Sequence, residues 1–384
     1  LKVPLIDLGR QYKNLEEEIM SATEAVFRSQ RFILGPRVEE LEGKIADYCG
    51  CRYAVGVSSG TDGLLISLMN MGVKSGDMVI TTPYTFFATV GVIMRLGALP
   101  VFVDIDRETY NMDPDKLEEL LSSMDEEKRA RIRAVLAVHL YGQCADMEKI
   151  TQTALIYNLT VVEDAAQAIG AEYKFSNGLI KRAGSMGDYG CFSFYPTKNL
   201  GAFGEGGMVV TDNENRYNML KILRNHGDIG RYRHSYIGGN FRLDALQAAV
   251  LLVKLKYLDD WTERRNKNAN TYRELFKDAG IEDISLPFEK EHRHIYHQFV
   301  IRVKDRRDEL KRFLTDNGIG CEVYYPIPLH VQECFKNSLS YNRDDFPVSV
   351  EASESTLALP IYPELSMDQL RYVVDTIKKF KEIR

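Results

Sequence analysis

Apolar residues recur at helical spacing through the first fifty positions, at Leu15, Ile19, Ala22 and Val26 and again at Val38, Leu41, Ile45 and Tyr48. This spacing predicts an amphipathic helix over 11–28, a loop at 32–36 and a second helix after it. The pattern then changes. Short, nearly unbroken apolar runs fall at 53–57, 78–81, 100–104, 134–138, 159–164 and 207–211. Stretches of helical period separate the earlier runs, and Asp113 before Pro114 marks one helix start. Apolar strands alternating with helices predict a mostly parallel sheet covered on both faces. After Asp244 one long helical stripe runs through Leu246, Ala249, Val250, Val253 and Leu258 and on past Trp261. Strands at 298–303 and 319–325 and helices at 307–317 and 367–382 complete the pattern. The expected organisation is a large domain over 1–255 and a smaller C-terminal α/β domain over 256–384. The N-terminal helix is a candidate to pack on the small domain.

One stretch departs from simple strand–helix alternation. Aromatic and apolar residues lead through Phe192, Phe194 and Tyr195 to Pro196, then Lys198, then the glycine-rich run 201–207. Lysine is rarely buried without a partner. Placed after a buried strand, Lys198 suits covalent chemistry with a carbonyl; on a surface turn it would do nothing special. Other chemistry-bearing residues share its position just after a strand: Gly60 and Thr61, Phe86, His139 and Asp164. Ligands of open α/β sheets gather at the carboxyl ends of strands.

Pyridoxal phosphate asks for what these residues offer. Lys198 would form a Schiff base with its aldehyde. Asp164 would face the pyridine nitrogen and keep the ring an electron sink. The amides of Gly60 and Thr61, opening a helix, would hold the phosphate, with the hydroxyl of Ser193 beside them. Phe86 would stack on the ring. Gln167, one turn after Asp164, would bond the ring hydroxyl, and His139 would lie close by. Each residue also has a plain structural use: Asp164 as a helix cap, Gly60 and Thr61 as a turn, Ser193 in a strand, Phe86 in the core, His139 as a satisfied strand-end histidine.

Composition removes several alternatives. The 384 residues carry a net charge of -6 with no long basic run, which leaves nucleic-acid or acidic-membrane binding without electrostatic support. No apolar run is long enough to span a bilayer, and residues 1–10 lack the apolar core of a signal peptide, so a cytoplasmic protein is expected. The leucine start is taken as numbering that omits an initiator methionine. Six cysteines at 49, 51, 144, 191, 321 and 334 fit neither a zinc knuckle nor a disulfide framework. His292, His294 and His297, after Glu291, read as the entry to a strand rather than a metal site. A nicotinamide dehydrogenase would want Gly-x-Gly-x-x-Gly after the first strand, and 58–63 does not supply it.

Taken in order, Ile33-Leu34-Gly35-Pro36, Ser59-Gly60-Thr61-Asp62, Pro83-Tyr84-Thr85-Phe86, His139-Leu140-Tyr141-Gly142-Gln143 and Glu163-Asp164-Ala165-Ala166-Gln167 form a recognisable series. It continues through 193–201, Arg224-Asn225-His226-Gly227, Gly239-Asn240-Phe241-Arg242-Leu243-Asp244 and Tyr325-Pro326-Ile327-Pro328-Leu329-His330. The chain resembles the fold-type I pyridoxal-phosphate enzymes, and within them the DegT/DnrJ/EryC1/StrS nucleotide-sugar aminotransferases, over nearly its whole length. The resemblance implies a seven-stranded large-domain sheet and a homodimer with shared active sites. It implies glutamate as donor, a keto sugar on a nucleoside diphosphate as acceptor, and pyridoxamine phosphate between the two halves of the reaction. It also implies that Asn240 reaches the cofactor phosphate of the neighbouring subunit. Arg242, Tyr324, Tyr325 and His330 match segments lining the sugar pocket, with Arg242 and the 324–330 loop supplied by the partner. His226 matches a segment near substrate. The run 139–146 is closest in flavour to enzymes acting on 3-keto sugars for surface polysaccharide. Two alternatives share the fold: a sugar dehydratase, which carries histidine where this chain has Lys198, and a regulatory protein, which would lose the lysine or the aspartate.

Overall fold

A computed structural model describes residues 1–290 and 292–383. In chain order the first half runs α1 (Leu8–Ser29), α2 (Pro36–Cys49), β1 (Tyr53–Val57), α3 (Gly60–Asn70), β2 (Met78–Thr81), α4 (Ala88–Arg95), β3 (Leu99–Phe102), α5 (Pro114–Ser123), α6 (Glu126–Arg129), β4 (Ile132–Val138), α7 (Met147–Ile156) and β5 (Thr160–Asp164). The middle adds a small hairpin, β6 (Glu172–Lys174) and β7 (Ile180–Arg182), then β8 (Tyr189–Ser193), β9 (Gly207–Thr211), α8 (Glu214–Arg224), α9 (Ala245–Leu255) and α10 (Leu258–Asp278). The last part holds β10 (Ile284–Ser285), β11 (Phe299–Val303), α11 (Arg307–Asp316), α12 (Pro347–Ser355), β12 (Thr356–Leu359) and α13 (Met367–Glu382).

Seven strands form the large sheet in the order β1-β9-β8-β5-β4-β2-β3. Only β9 opposes its neighbours; the other adjacent pairs are parallel. The strands are buried on both faces, which explains their unbroken apolar runs. The carboxyl ends of β1, β2, β4, β5 and β8 therefore open on one edge.

A second core surrounds the antiparallel sheet β10-β11-β12, covered by α10, α11 and α13. Val3 joins that core and bridges to Ile319, whereas α1 itself packs on α9. Two expectations change here. The long stripe after Asp244 breaks at 256–257, where α9 ends and Asp259 and Asp260 begin a new first turn. The 319–325 segment is no strand; it makes only isolated bridges, at Ile319 and Glu322. The partner of β11 is instead β12, too short and too close behind a helix for its alternation to show.

Candidate active site

The strand ends surround a cavity of ≈ 490 Å³. On one side α3 begins. Ser59 caps it by accepting the Asp62 amide at 3.0 Å, and the first intrahelical bond is Gly63 N–H to the Ser59 carbonyl. The amides of Gly60 and Thr61 precede that bond and belong to the positive end of the helix. A side chain at Gly60 would sit 2.7 Å from Ser193 Cβ, so glycine is what lets the Ser193 end of β8 approach the helix start. Gly207 allows the same closeness on β9, where a Cβ would fall 2.5 Å from the Ser59 carbonyl carbon. Gly60, Thr61 and Ser193 all line the cavity.

Asp164 closes β5 with its side chain on the cavity wall. Its Oδ2 accepts the Thr89 hydroxyl at 2.8 Å and its Oδ1 accepts the Ala166 amide at 3.3 Å. Burial pushes the carboxyl above its ordinary range, against the pull of these hydrogen bonds and of Lys198. Lys198 lies in the turn after β8, its amide bonded to the Tyr195 carbonyl. Desolvation brings its ammonium down to about 8, opposed in part by Asp164. Gln167 makes two bonds at the wall, which leave one amide N–H for a further partner: its Oε1 accepts the Tyr141 amide and its Nε2 donates to the Tyr325 hydroxyl at 2.9 Å. Phe86 is 56% exposed at the mouth, its ring 6.1 Å from that of Tyr325.

The remaining expected residues divide. Tyr324 and Tyr325 line this chain's own cavity, which corrects for these two residues the expectation that the partner supplies them. Tyr84 donates to the Tyr324 carbonyl at 2.7 Å, and Tyr141 donates to the same atom, so residues just after β2 and β4 hold Tyr324 in place. His139 is a correction. It is wholly buried behind the strand ends, its Nδ1 accepting the Ala145 amide and its Nε2 donating to Glu163 at 2.8 Å. Glu163 also accepts the amides of Gly184, Met186 and Gly187, which ties down the 184–187 turn. His330 is corrected in the same sense: it is 4% exposed, packed on Phe102 and Phe346, and donates through Nε2 to the Arg343 carbonyl. Asn240, Arg242 and His226 stand off the cavity of their own chain. Asn240 and His226 are exposed, Asn240 bridges to Asn225, and Arg242 donates to the Asn225 side chain at 2.7 Å.

Several lining residues escaped the sequence reading. Thr85, Thr197, His297 and Gln298 face the cavity. His297 is held by the Asn199 side chain at 3.1 Å, and burial keeps its ring well below the ordinary histidine range. Gln298 Oε1 is buried without a partner. Both come from the segment entering β11, whose period gives no sign of a return to the large sheet. His294 stacks on Tyr296 at 4.0 Å. No cluster able to hold a metal ion occurs among the described residues, Glu291 lying outside them. No helix among the described residues is long and apolar enough to cross a membrane.

One amine, one buried carboxylate, free helix amides and a hydroxyl around one space fit a phosphate-bearing aldehyde whose ring carries a basic nitrogen. The family model for DegT/DnrJ/EryC1/StrS aminotransferases matches residues 13–378. The chain belongs to that family. It is similar to a protein of Geobacillus stearothermophilus named "Pleiotropic regulatory protein", 45% identical with 99% of each chain covered. It is 39% identical to the dTDP-3-amino-3,6-dideoxy-alpha-D-galactopyranose transaminase of Aneurinibacillus thermoaerophilus, over 98% of this chain and 99% of that one. Among solved structures, DesV of S. venezuelae superposes with a TM-score of 0.92 at 37% identity, covering 100% and 99% of the two chains. NtdA of Bacillus subtilis, solved with bound cofactor PMP, gives 0.86 at 30% identity over 98% and 85%. This family member is an aminotransferase of the α/β fold those structures share.

Proposed function

We propose that this aminotransferase uses pyridoxal phosphate to move an amino group from glutamate to a keto sugar carried on a nucleoside diphosphate. The observation that carries the reading is the placement of Lys198 and Asp164 on one cavity with the opening amides of α3. When bound, the cofactor supplies an aldehyde that carries nitrogen and a ring that accepts the electron pair released at the substrate carbon. The protein does the rest. The Gly60 and Thr61 amides and the Ser193 hydroxyl bind the phosphate, Phe86 covers the ring, and Gln167 orients its hydroxyl. Asp164 holds a proton on the ring nitrogen. Lys198, its ammonium brought down to about 8, gives up its proton near neutral pH far more readily than an exposed lysine. It takes the proton from the α-carbon of the donor and later delivers one to the sugar carbon that receives nitrogen. A histidine at 198, as in the dehydratases of this fold, would lack the primary amine.

Asn240 and Arg242, exposed or half-exposed and off their own cavity, serve the cavity of a second copy in a homodimer. A 3-keto acceptor is favoured, because the dTDP-sugar relative at 39% identity is named for a 3-amino product. Purified protein should show a cofactor absorption band that Lys198→Ala removes, and should transfer nitrogen stoichiometrically from glutamate to a member of a panel of 3- and 4-keto UDP, dTDP and GDP sugars. An unchanged spectrum in Lys198→Ala would sink the cofactor assignment. A normal band with no turnover across the panel would favour a regulatory role, the role named in the relative at 45% identity.

A further inference from the structure

Asp164 is held by a side chain that no motif points to. Thr89 sits in the first turn of α4, wholly buried. Six other helical threonines, Thr23, Thr151, Thr262, Thr271, Thr315 and Thr376, return their hydroxyls to the carbonyl four residues back. In a first turn no helical carbonyl stands at that position. The Thr89 hydroxyl instead crosses to β5 and meets Asp164 Oδ2 at 2.8 Å. Its oxygen lies 3.1 Å from the hydroxyl of Thr85, itself 2% exposed and on the cavity wall. A carboxylate only accepts, so Thr89 donates to Asp164, and the Thr85 hydroxyl then donates to Thr89. The two hydroxyls point their dipoles in series at one carboxylate oxygen. The other oxygen, Oδ1, has the longer Ala166 bond, and Asp164 itself lines the cavity.

We propose that Thr85 and Thr89 are positioning residues that fix where the proton sits between Asp164 and the cofactor's ring nitrogen. This inference rests on the proposed cofactor reading and deepens it. A donor on Oδ2 stabilises the ionised carboxylate and makes it a weaker base. With that donor present the proton stays on the ring nitrogen and the ring keeps its pull on electrons. Without it, the buried carboxylate takes the proton and the ring becomes a neutral pyridine. Lys198, His139, Tyr325 and Cys191 are ionisable groups that interact with Asp164, and none of them is changed by a substitution at 89.

The test compares wild type, Thr89→Val, Thr89→Ser and Thr85→Val, each as holoprotein loaded with pyridoxal phosphate labelled with ¹⁵N in the ring. Valine keeps the shape and removes the hydroxyl; serine keeps the hydroxyl. The expected result is a ring ¹⁵N resonance in the pyridinium range for wild type and Thr89→Ser. It should move toward neutral pyridine in Thr89→Val and by a smaller step in Thr85→Val. Cofactor affinity of the apoprotein should fall roughly tenfold in Thr89→Val, as for loss of a hydrogen bond to a charged group. The rate constant kcat should fall by a larger factor than the sugar KM changes. A pyridinium resonance in Thr89→Val with unaltered affinity overturns the relay, and so does a Thr89→Ser that behaves like valine. Should Thr89→Val not fold, an unmoved resonance in Thr85→Val overturns it. A wild type that binds no labelled cofactor fails at the earlier step and overturns the cofactor reading itself.

Discussion

Two buried lysines flank the same turn, and burial lowers both to about 8. Lys198 sits on the cavity with Asp164 also on its wall. Lys254, on α9, is 2% exposed, donates to the Gly201 carbonyl at 2.7 Å and lies 4.7 Å from the centre of the Phe203 ring. No carboxylate among the described residues pairs with it. Titration alone does not tell the two apart. What separates them is what each amine can reach: Lys198 faces space for a carbonyl, and Lys254 faces a peptide oxygen. A depressed lysine marks burial; only its surroundings mark chemistry.

The contrast is tested most strongly by rate. Lys198→Ala should lower kcat on the order of a thousandfold, as for loss of a general base, while Lys254→Met keeps most of the wild-type rate. Comparable losses in steady-state assays of the two variants would break the distinction. A third buried charge sharpens it. Glu163 satisfies both oxygens with three amides and His139, so Glu163→Gln would set an amide NH₂ against the N–H groups of Gly184 and His139. The variant should lose about 3 kcal/mol of unfolding free energy in denaturant titration, more than either lysine substitution. Lys254→Met exposes an unpaired Gly201 carbonyl but removes a desolvated charge, so its net change should stay below about 2 kcal/mol. The smallest effect is the pH slope. In cofactor-free protein the folded state holds the two lysine protons less tightly than the unfolded chain, whose groups titrate near 10.5. Stability should therefore rise as pH passes from about 8 toward 10.5, and each substitution should flatten that rise in pH-dependent unfolding curves.

Much of the site was legible because it lies where the chain leaves a strand. Gly60, Asp164, Ser193 and Lys198 each follow or close an apolar run, and a parallel sheet brings such ends to one edge whatever the strand order. The order itself was not legible, since β9 enters between β1 and β8 without any local mark. His297 and Gln298 were missed for a related reason: they belong to a segment whose own period predicts only the start of β11. His139 and His330 look chemical in sequence because histidine titrates near neutrality. In the fold, backbone and carboxylate partners hold them away from the cavity. Tyr324 and Tyr325 meet the cavity of their own chain through a contact the local pattern does not show, because the hydroxyls that hold the Tyr324 carbonyl come from Tyr84 and Tyr141, far away in the chain.

Lys198, Asp164 and the opening turn of α3 share a single space. A donor and an acceptor that both need this one amine must occupy it at different times. Turnover then becomes a matter of alternation: the first product has to leave before the second substrate can enter. Excess of either substrate would crowd out the other, and initial-rate plots at several donor concentrations should run parallel. Both substrates would then share one mouth, bordered by the exposed rings of Phe86 and Tyr195.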